Sequence, residues 1–134
     1  MSTSGRLAVG LRATVTAEVG EADTAESLGS GDLPVLGTPR LLALAEAACV
    51  AAVAPHLAPE QTTVGSAVSL EHKRPSPIGS SIEVQAELTD MDDRTLYFMF
   101  VAYGPGEGDD AVIGAGTVQR VLVDSERFMR KAAG

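Results

Sequence analysis

A hydroxyl at Thr38, a carboxylate at Glu46 and an imidazole at His72 are residue types that acyl transfer requires. Such chemistry needs a nucleophile or base, a proton carrier, and a group that positions one of them. Glu46 is the most informative of the three. It is the single charge in the fourteen-residue run LLALAEAACVAAVA from Leu41 to Ala54. A helix that is apolar all round belongs in a core, where an unpartnered carboxylate is costly. Glu46 therefore has a task, snorkels to an edge of the helix, or pairs with Arg120. Burial would raise its pKa toward the range useful for acid, base or nucleophile chemistry. Thr38 precedes it by two helical turns, and His72 shares strand parity with Val68 and Leu70, which puts it on the helix-facing side. Singly, Thr38 reads as a helix cap and His72 as a solvated strand end beside Lys73 and Arg74.

The elements that must hold these groups follow from periodicity. Leu7–Val19 alternates Leu11, Ala13, Val15, Ala17 and Val19 with polar residues, as a strand does. Residues 20–37 form a lid-like loop, Gly- and Ser-rich and acidic over 20–32, and its length predicts a mobile flap. Thr38 at the N-cap and Pro39 at the first helical position open a helix over 38–55, which Pro55 and Pro59 end. Four strands follow within 63–124. The first, Thr63–Arg74, alternates Val64, Ser66, Val68, Leu70 and His72 with Gly65, Ala67, Ser69 and Glu71. The third, Thr95–Tyr103, is apolar on both faces and so central. A short polar helix and tail fill 125–134. One buried helix with one strand before it and four after it predicts a single α+β domain over 1–134. An antiparallel five-stranded sheet wraps the long central helix as a bun wraps a sausage, the hot-dog fold. One small sheet cannot cover so apolar a helix, which predicts a two-fold homodimer.

Composition narrows the partners. The 134-residue chain carries a formal net charge of −8, which disfavours nucleic acid and anionic membranes. The N-terminus, MSTSGRLAVGLRATV, lacks a signal-peptide core, and Leu41–Ala54 is too short to span a bilayer, so a soluble, cytoplasmic protein is expected. The one cysteine, Cys49, excludes an internal disulfide and reads as core packing. His56 reads as a helix-end surface residue. No spacing suits a metal and no Gly-rich run suits a phosphate loop; Gly114 and Gly116 read as sites of close backbone approach. Lys73 and Arg74 form a compact basic pair that could dock an anionic handle such as the phosphates of coenzyme A.

From about Leu36 to Arg130 the chain resembles the fluoroacetyl-CoA thioesterase family of the hot-dog superfamily. The resemblance is carried by Thr38, EAACV at Glu46–Val50, Ala54-Pro55 with Leu57, GSAVSLEH at Gly65–His72, and GAGTVQR ending at Arg120. It implies catalytic roles for Thr38, Glu46 and His72, and places Gly65 and Arg120 in or near the site. Family members that select the fluorinated acyl group carry aromatic residues in the lid. Here Gly29–Leu36 reads GSGDLPVL, so Val35 and Leu36 are expected to line the pocket and another short acyl-CoA is the expected substrate. The thioester already has a good leaving group, so no cofactor is expected beyond the coenzyme A of the substrate. The competing readings are a hot-dog enoyl-CoA hydratase and a non-catalytic domain binding an acyl-CoA or a hydrophobic small molecule.

Overall fold

The computed structural model describes residues 6–134; Met1–Gly5, part of the N-terminus read above for a signal peptide, lie outside the described residues. Strands β1 (Arg12–Glu18), β2 (Gln61–His72), β3 (Ser81–Asp92), β4 (Thr95–Tyr103) and β5 (Val112–Asp124) form one sheet. Its order is β1-β3-β4-β5-β2, with every neighbouring pair antiparallel. The doubly apolar β4 sits in the middle, where both of its edges are paired. The hairpin joining it to β3 turns at Asp93, whose φ of 55° is the left-handed conformation that Asp tolerates better than most residues.

Among the described residues three helices accompany the sheet: α1 (Ala25–Leu28), α2 (Thr38–Val53) and α3 (Ser125–Ala132). The long helix α2 is rich in Ala and Leu, which favour helix, and passes through a 3₁₀ turn at Ala54–His56 where Pro55 removes an N–H donor. With this turn it reaches nineteen residues of mean hydropathy 1.3, long and apolar enough by length and composition to cross a membrane. The shorter run Leu41–Ala54 left out the first turn and the 3₁₀ end. Packing decides its place here. Leu41, Leu44, Ala45, Ala48, Cys49, Ala52 and Val53 are buried against the sheet, with Ile82, Val84, Leu88, Leu96, Phe98 and Val118 among the facing core.

The sheet covers α2 on one side only. The helix packs mainly over β1 and β3, and within one chain Ala43, Ala47, Val50 and Ala51 remain exposed, so the expected wrapping on nearly every side is not reached. A five-stranded sheet lies against one face of a helix, and the opposite stripe needs another cover. Residues 20–37 are more ordered than a flap: a 3₁₀ turn at Glu21–Asp23 and the single turn of α1 fold the segment onto the start of α2.

A bulge governs which way β2 points. Gly65 pairs with Arg120 and Ala67 with Gln119, so Ser66 is the extra residue. Strict alternation would place Gly65 and His72 on opposite faces. The bulge instead puts Gly65 beside inward-facing Arg120 and Val68 beside Val118, and leaves Leu70 and His72 on that same helix side. The glycines of β5 explain the close fit of the two strands: a Cβ on Gly116 would collide with the Ser69 carbonyl oxygen, and one on Gly114 would lie 2.8 Å from that of Glu71.

Candidate active site

The first turn of α2 and the end of β2 meet at a hydrogen bond. Thr38 Oγ1 lies 2.8 Å from His72 Nδ1. This contact displaces the expected cap: Gly37 is the N-cap, its carbonyl accepting from the amides of Arg40 and Leu41, while Thr38 and Pro39 are the first two helical residues. A hydroxyl engaged with imidazole is not free to cap the helix. Nε2, the other ring nitrogen, is buried and makes no hydrogen bond among the described residues. Burial holds the imidazole pKa below its ordinary 6.5, and the Arg74 backbone beside it opposes this only in part. The ring is therefore neutral at pH 7, with one nitrogen fixed by Thr38 and the other without a partner. An unpaired buried nitrogen costs on the order of 1–3 kcal/mol, so Nε2 favours a group that binds it or exchanges a proton with it.

The pair opens into a cleft of about 260 Å³ lined by Ala25, Ser30, Val35, Leu36, Lys73 and Pro75 among others. Val35 is half-buried at its wall, whereas Leu36 is 2% exposed and belongs mainly to the core beneath. Lys73 is exposed and makes no ion pair among the described residues; Arg74 is tied at 3.1 Å to Asp110 in the loop after β4. Of the basic pair, Lys73 is the one left for an anion.

Glu46 belongs to a second cluster. Its Oε2 accepts from Arg120 Nη1 at 2.8 Å, and its side chain is 33% exposed, so this carboxylate is neither alone nor withdrawn from water. Arg120 itself is 7% exposed. Its Nε donates to Thr63 Oγ1 and its Nη2 to the Thr63 carbonyl, both at 2.9 Å. Gly65 makes the arrangement possible, because a Cβ there would come within 2.6 Å of Glu46 Oε2. Eight residues at 1.5 Å rise separate Thr38 from Glu46 by about 12 Å along α2. Within one chain, then, Thr38 and His72 meet, Glu46, Gly65 and Arg120 meet, and the two groups stay apart.

Thr63 escaped the sequence reading. An available signal was Arg120 itself, which shares inward parity with Val118 and so requires buried acceptors. Cys49, fully buried on α2, has its thiol pushed up to about 12 by burial, which removes it from nucleophilic chemistry.

Comparison with known proteins gives a consistent picture. A sequence model of the family described as FlK, fluoroacetyl-CoA-specific thioesterase, matches residues 19–126. The fluoroacetyl-CoA thioesterase of Streptantibioticus cattleyicolor is 35% identical over 97 residues, 72% of this chain and 67% of that protein. A solved structure of a variant of the fluoroacetyl-CoA thioesterase FlK with acetyl-CoA superposes at a TM-score of 0.86 and 28% identity, covering 95% of this chain and 97% of that one. A Thermus thermophilus hypothetical protein described as a thioesterase superfamily member matches at a TM-score of 0.81 and 23% identity, covering 94% and 93%, which is a likeness of fold.

Proposed function

Since this chain belongs to the fluoroacetyl-CoA-specific thioesterase family, we propose that it is a thioesterase hydrolysing a short-chain acyl-CoA, at a site completed by a second copy of the chain. The observation that carries this reading is the Thr38–His72 hydrogen bond beside a buried, unpartnered ring nitrogen in a small cleft. A neutral imidazole can take a proton from the attacking group and return one to the departing thiolate. Thr38 fixes its ring. The amide of Thr38 finds no acceptor among the described residues, and Pro39 has none to offer, so the positive end of α2 presents one free N–H for the thioester oxygen as charge develops there. Water adds to the carbonyl carbon, the C–S bond breaks, and the products are a carboxylic acid and the free thiol of coenzyme A. The leaving group needs no metal or redox help.

Glu46 attacks the carbonyl or activates the water, and Arg120 aims it. We assign this role to the Glu46 of a second copy, a reading supported by the spacing of about 12 Å along α2 between Glu46 and the Thr38–His72 pair of its own chain. Supporting this are the exposed stretch Gly65–Ser69 on edge strand β2, with Val68 at 48% exposure, and Val50 on α2 at 40%. Lys73 is assigned to the coenzyme's phosphates. The single thiol suits a reducing, cytoplasmic setting. The lid segment Gly29–Leu36 has no aromatic side chain, which favours an unfluorinated short acyl group.

The test is thiol release across acetyl-, propionyl-, butyryl-, fluoroacetyl- and crotonyl-CoA. Hydrolysis of the short saturated esters is expected. Binding without release would replace the reading with a binding module, and a hydroxyacyl product with a hydratase.

A further inference from the structure

The strap over the cleft is bolted to the catalytic helix at one residue. Asp23 Oδ2 accepts from the Gly20 amide at 2.7 Å, its Oδ1 accepts from Arg40 Nε at 2.8 Å, and its carbonyl accepts from the Gly37 amide at 2.9 Å. Arg40 lies in the first turn of α2, immediately after Thr38 and Pro39. On the far side of Asp23 the strap is rigid. Thr24, 1% exposed, caps α1 through the Ser27 amide and bridges to Leu36, and the Ala25 amide donates to the Val35 carbonyl at 2.8 Å. Gly37 lets the strap come close, because a Cβ there would lie 2.9 Å from Leu28 Cδ1 and 3.1 Å from the Ala25 nitrogen. Ala25, Ser30 and Val35 are therefore one wall of the cleft, and Thr38 with His72 the other.

We propose that Asp23 is a positioning residue for this reaction: by joining the strap to Arg40 and Gly37 it sets the width of the acyl cleft and thereby which acyl chain is accepted. The inference rests on the thioesterase reading and adds the determinant of its specificity. A wall fixed close to Thr38 and His72 holds a two-carbon acyl group in line for attack, and positioning of this kind is sensitive to shifts of about 1 Å. Released, the wall moves outward, and longer chains fit where short ones lose their alignment.

The experiment compares Asp23→Ala, Arg40→Ala and the double variant with the wild type in two measurements. In the first, kcat/KM for acetyl-CoA is expected to fall about tenfold while that for butyryl-CoA changes less than twofold, a shift in chain-length preference of at least about fivefold. A role in folding alone would lower both substrates together. The double variant should shift no further than Asp23→Ala alone, because Arg40 acts on the strap through Asp23. The second is amide hydrogen exchange of the folded proteins without substrate, where Ala25 and Gly37 are expected to exchange at least about tenfold faster in the variants. A chain-length ratio unchanged within twofold in an active enzyme overturns the proposal, and so does unchanged exchange at both amides. If the wild type turns over no acyl-CoA, the thioesterase reading fails on that result, and exchange alone decides whether Asp23 holds the strap.

Discussion

Arg120→Met removes the guanidinium that joins Glu46 to Thr63 while keeping an apolar stem of similar reach. Three hydrogen bonds disappear, at 2.8 and twice 2.9 Å. They are not equivalent. Thr63 is 7% exposed, so its hydroxyl and carbonyl oxygens lose buried donors, at about 1–3 kcal/mol each. Glu46, one-third exposed, can turn to water, and its share is discounted to about 1 kcal/mol or less. The total is about 2–7 kcal/mol, a span centred on the roughly 3–5 kcal/mol found when one partner of a buried ion pair is deleted. Against a global stability of about 5–15 kcal/mol the variant should remain folded but with its margin much reduced. Urea unfolding followed by far-UV circular dichroism measures the difference, with Arg74→Met as the control. The Arg74–Asp110 pair is 49% and 80% exposed, so that control should change stability by no more than about 0.5 kcal/mol. A loss below about 1 kcal/mol for Arg120→Met would refute the assignment of Arg120 as the buried tie of this cluster.

Glu46→Gln keeps an acceptor for Arg120 and removes the charge, so the fold should survive while thiol release falls about a hundredfold or more; near-normal turnover would exclude a role for the carboxylate in the reaction. Because burial holds the His72 pKa below 6.5, its NMR titration should have a midpoint under that value. The unfolded chain then takes up this proton first, so native stability should fall as pH drops from about 6.5 through the folded pKa and be unaffected by His72 well above about 6.5. A midpoint at or above 6.5 would contradict the burial argument. Light scattering at micromolar concentration should give twice the chain mass, and a stable, active monomer would remove the shared site. Without an aromatic lid the ratio of kcat/KM for fluoroacetyl-CoA to acetyl-CoA should stay modest, since small aliphatic walls discriminate by about 1–3 kcal/mol per methylene; a preference above about a thousandfold would overturn it.

The sequence made the main architecture readable because its signals are periodic. Ile82, Val84, Ala86 and Leu88 alternate inward as observed, and β4, apolar on both faces, lies at the centre of the sheet. Three features were hidden for physical reasons. The bulge at Ser66 is a feature of pairing, and alternation within one strand cannot register a residue that its neighbour skips. The Thr38 hydroxyl has two uses, and only the position of β2 decides that it bonds His72 while Gly37 caps the helix. The Asp23–Arg40 tie spans seventeen positions and joins two surface charges of a kind that abound in any chain. Because of it, a Gly-rich segment expected to be mobile is held in place. Glu46 stands out by its isolation among apolar residues, and of the three readings open for it in the sequence the structure shows the pairing with Arg120.

The bulge at Ser66 makes the site depend on how many residues separate its parts. With twelve residues in β2 and one of them skipped, Gly65 and His72 share a face. Deletion of Ser66 would leave Gly65 and His72 six positions apart and on the same face with no bulge, whereas insertion of one residue between Ala67 and Glu71 would leave a strand that still pairs along its whole length, with every side chain beyond it turned through half a revolution. After that insertion the imidazole would lie on the outer surface and Glu71 would take the inward position opposite Gly114. Among descendants of one ancestral gene, single-residue insertions in β2 would thus separate active from inactive lineages while leaving the sheet itself recognisable, and loss of Ser66 would not.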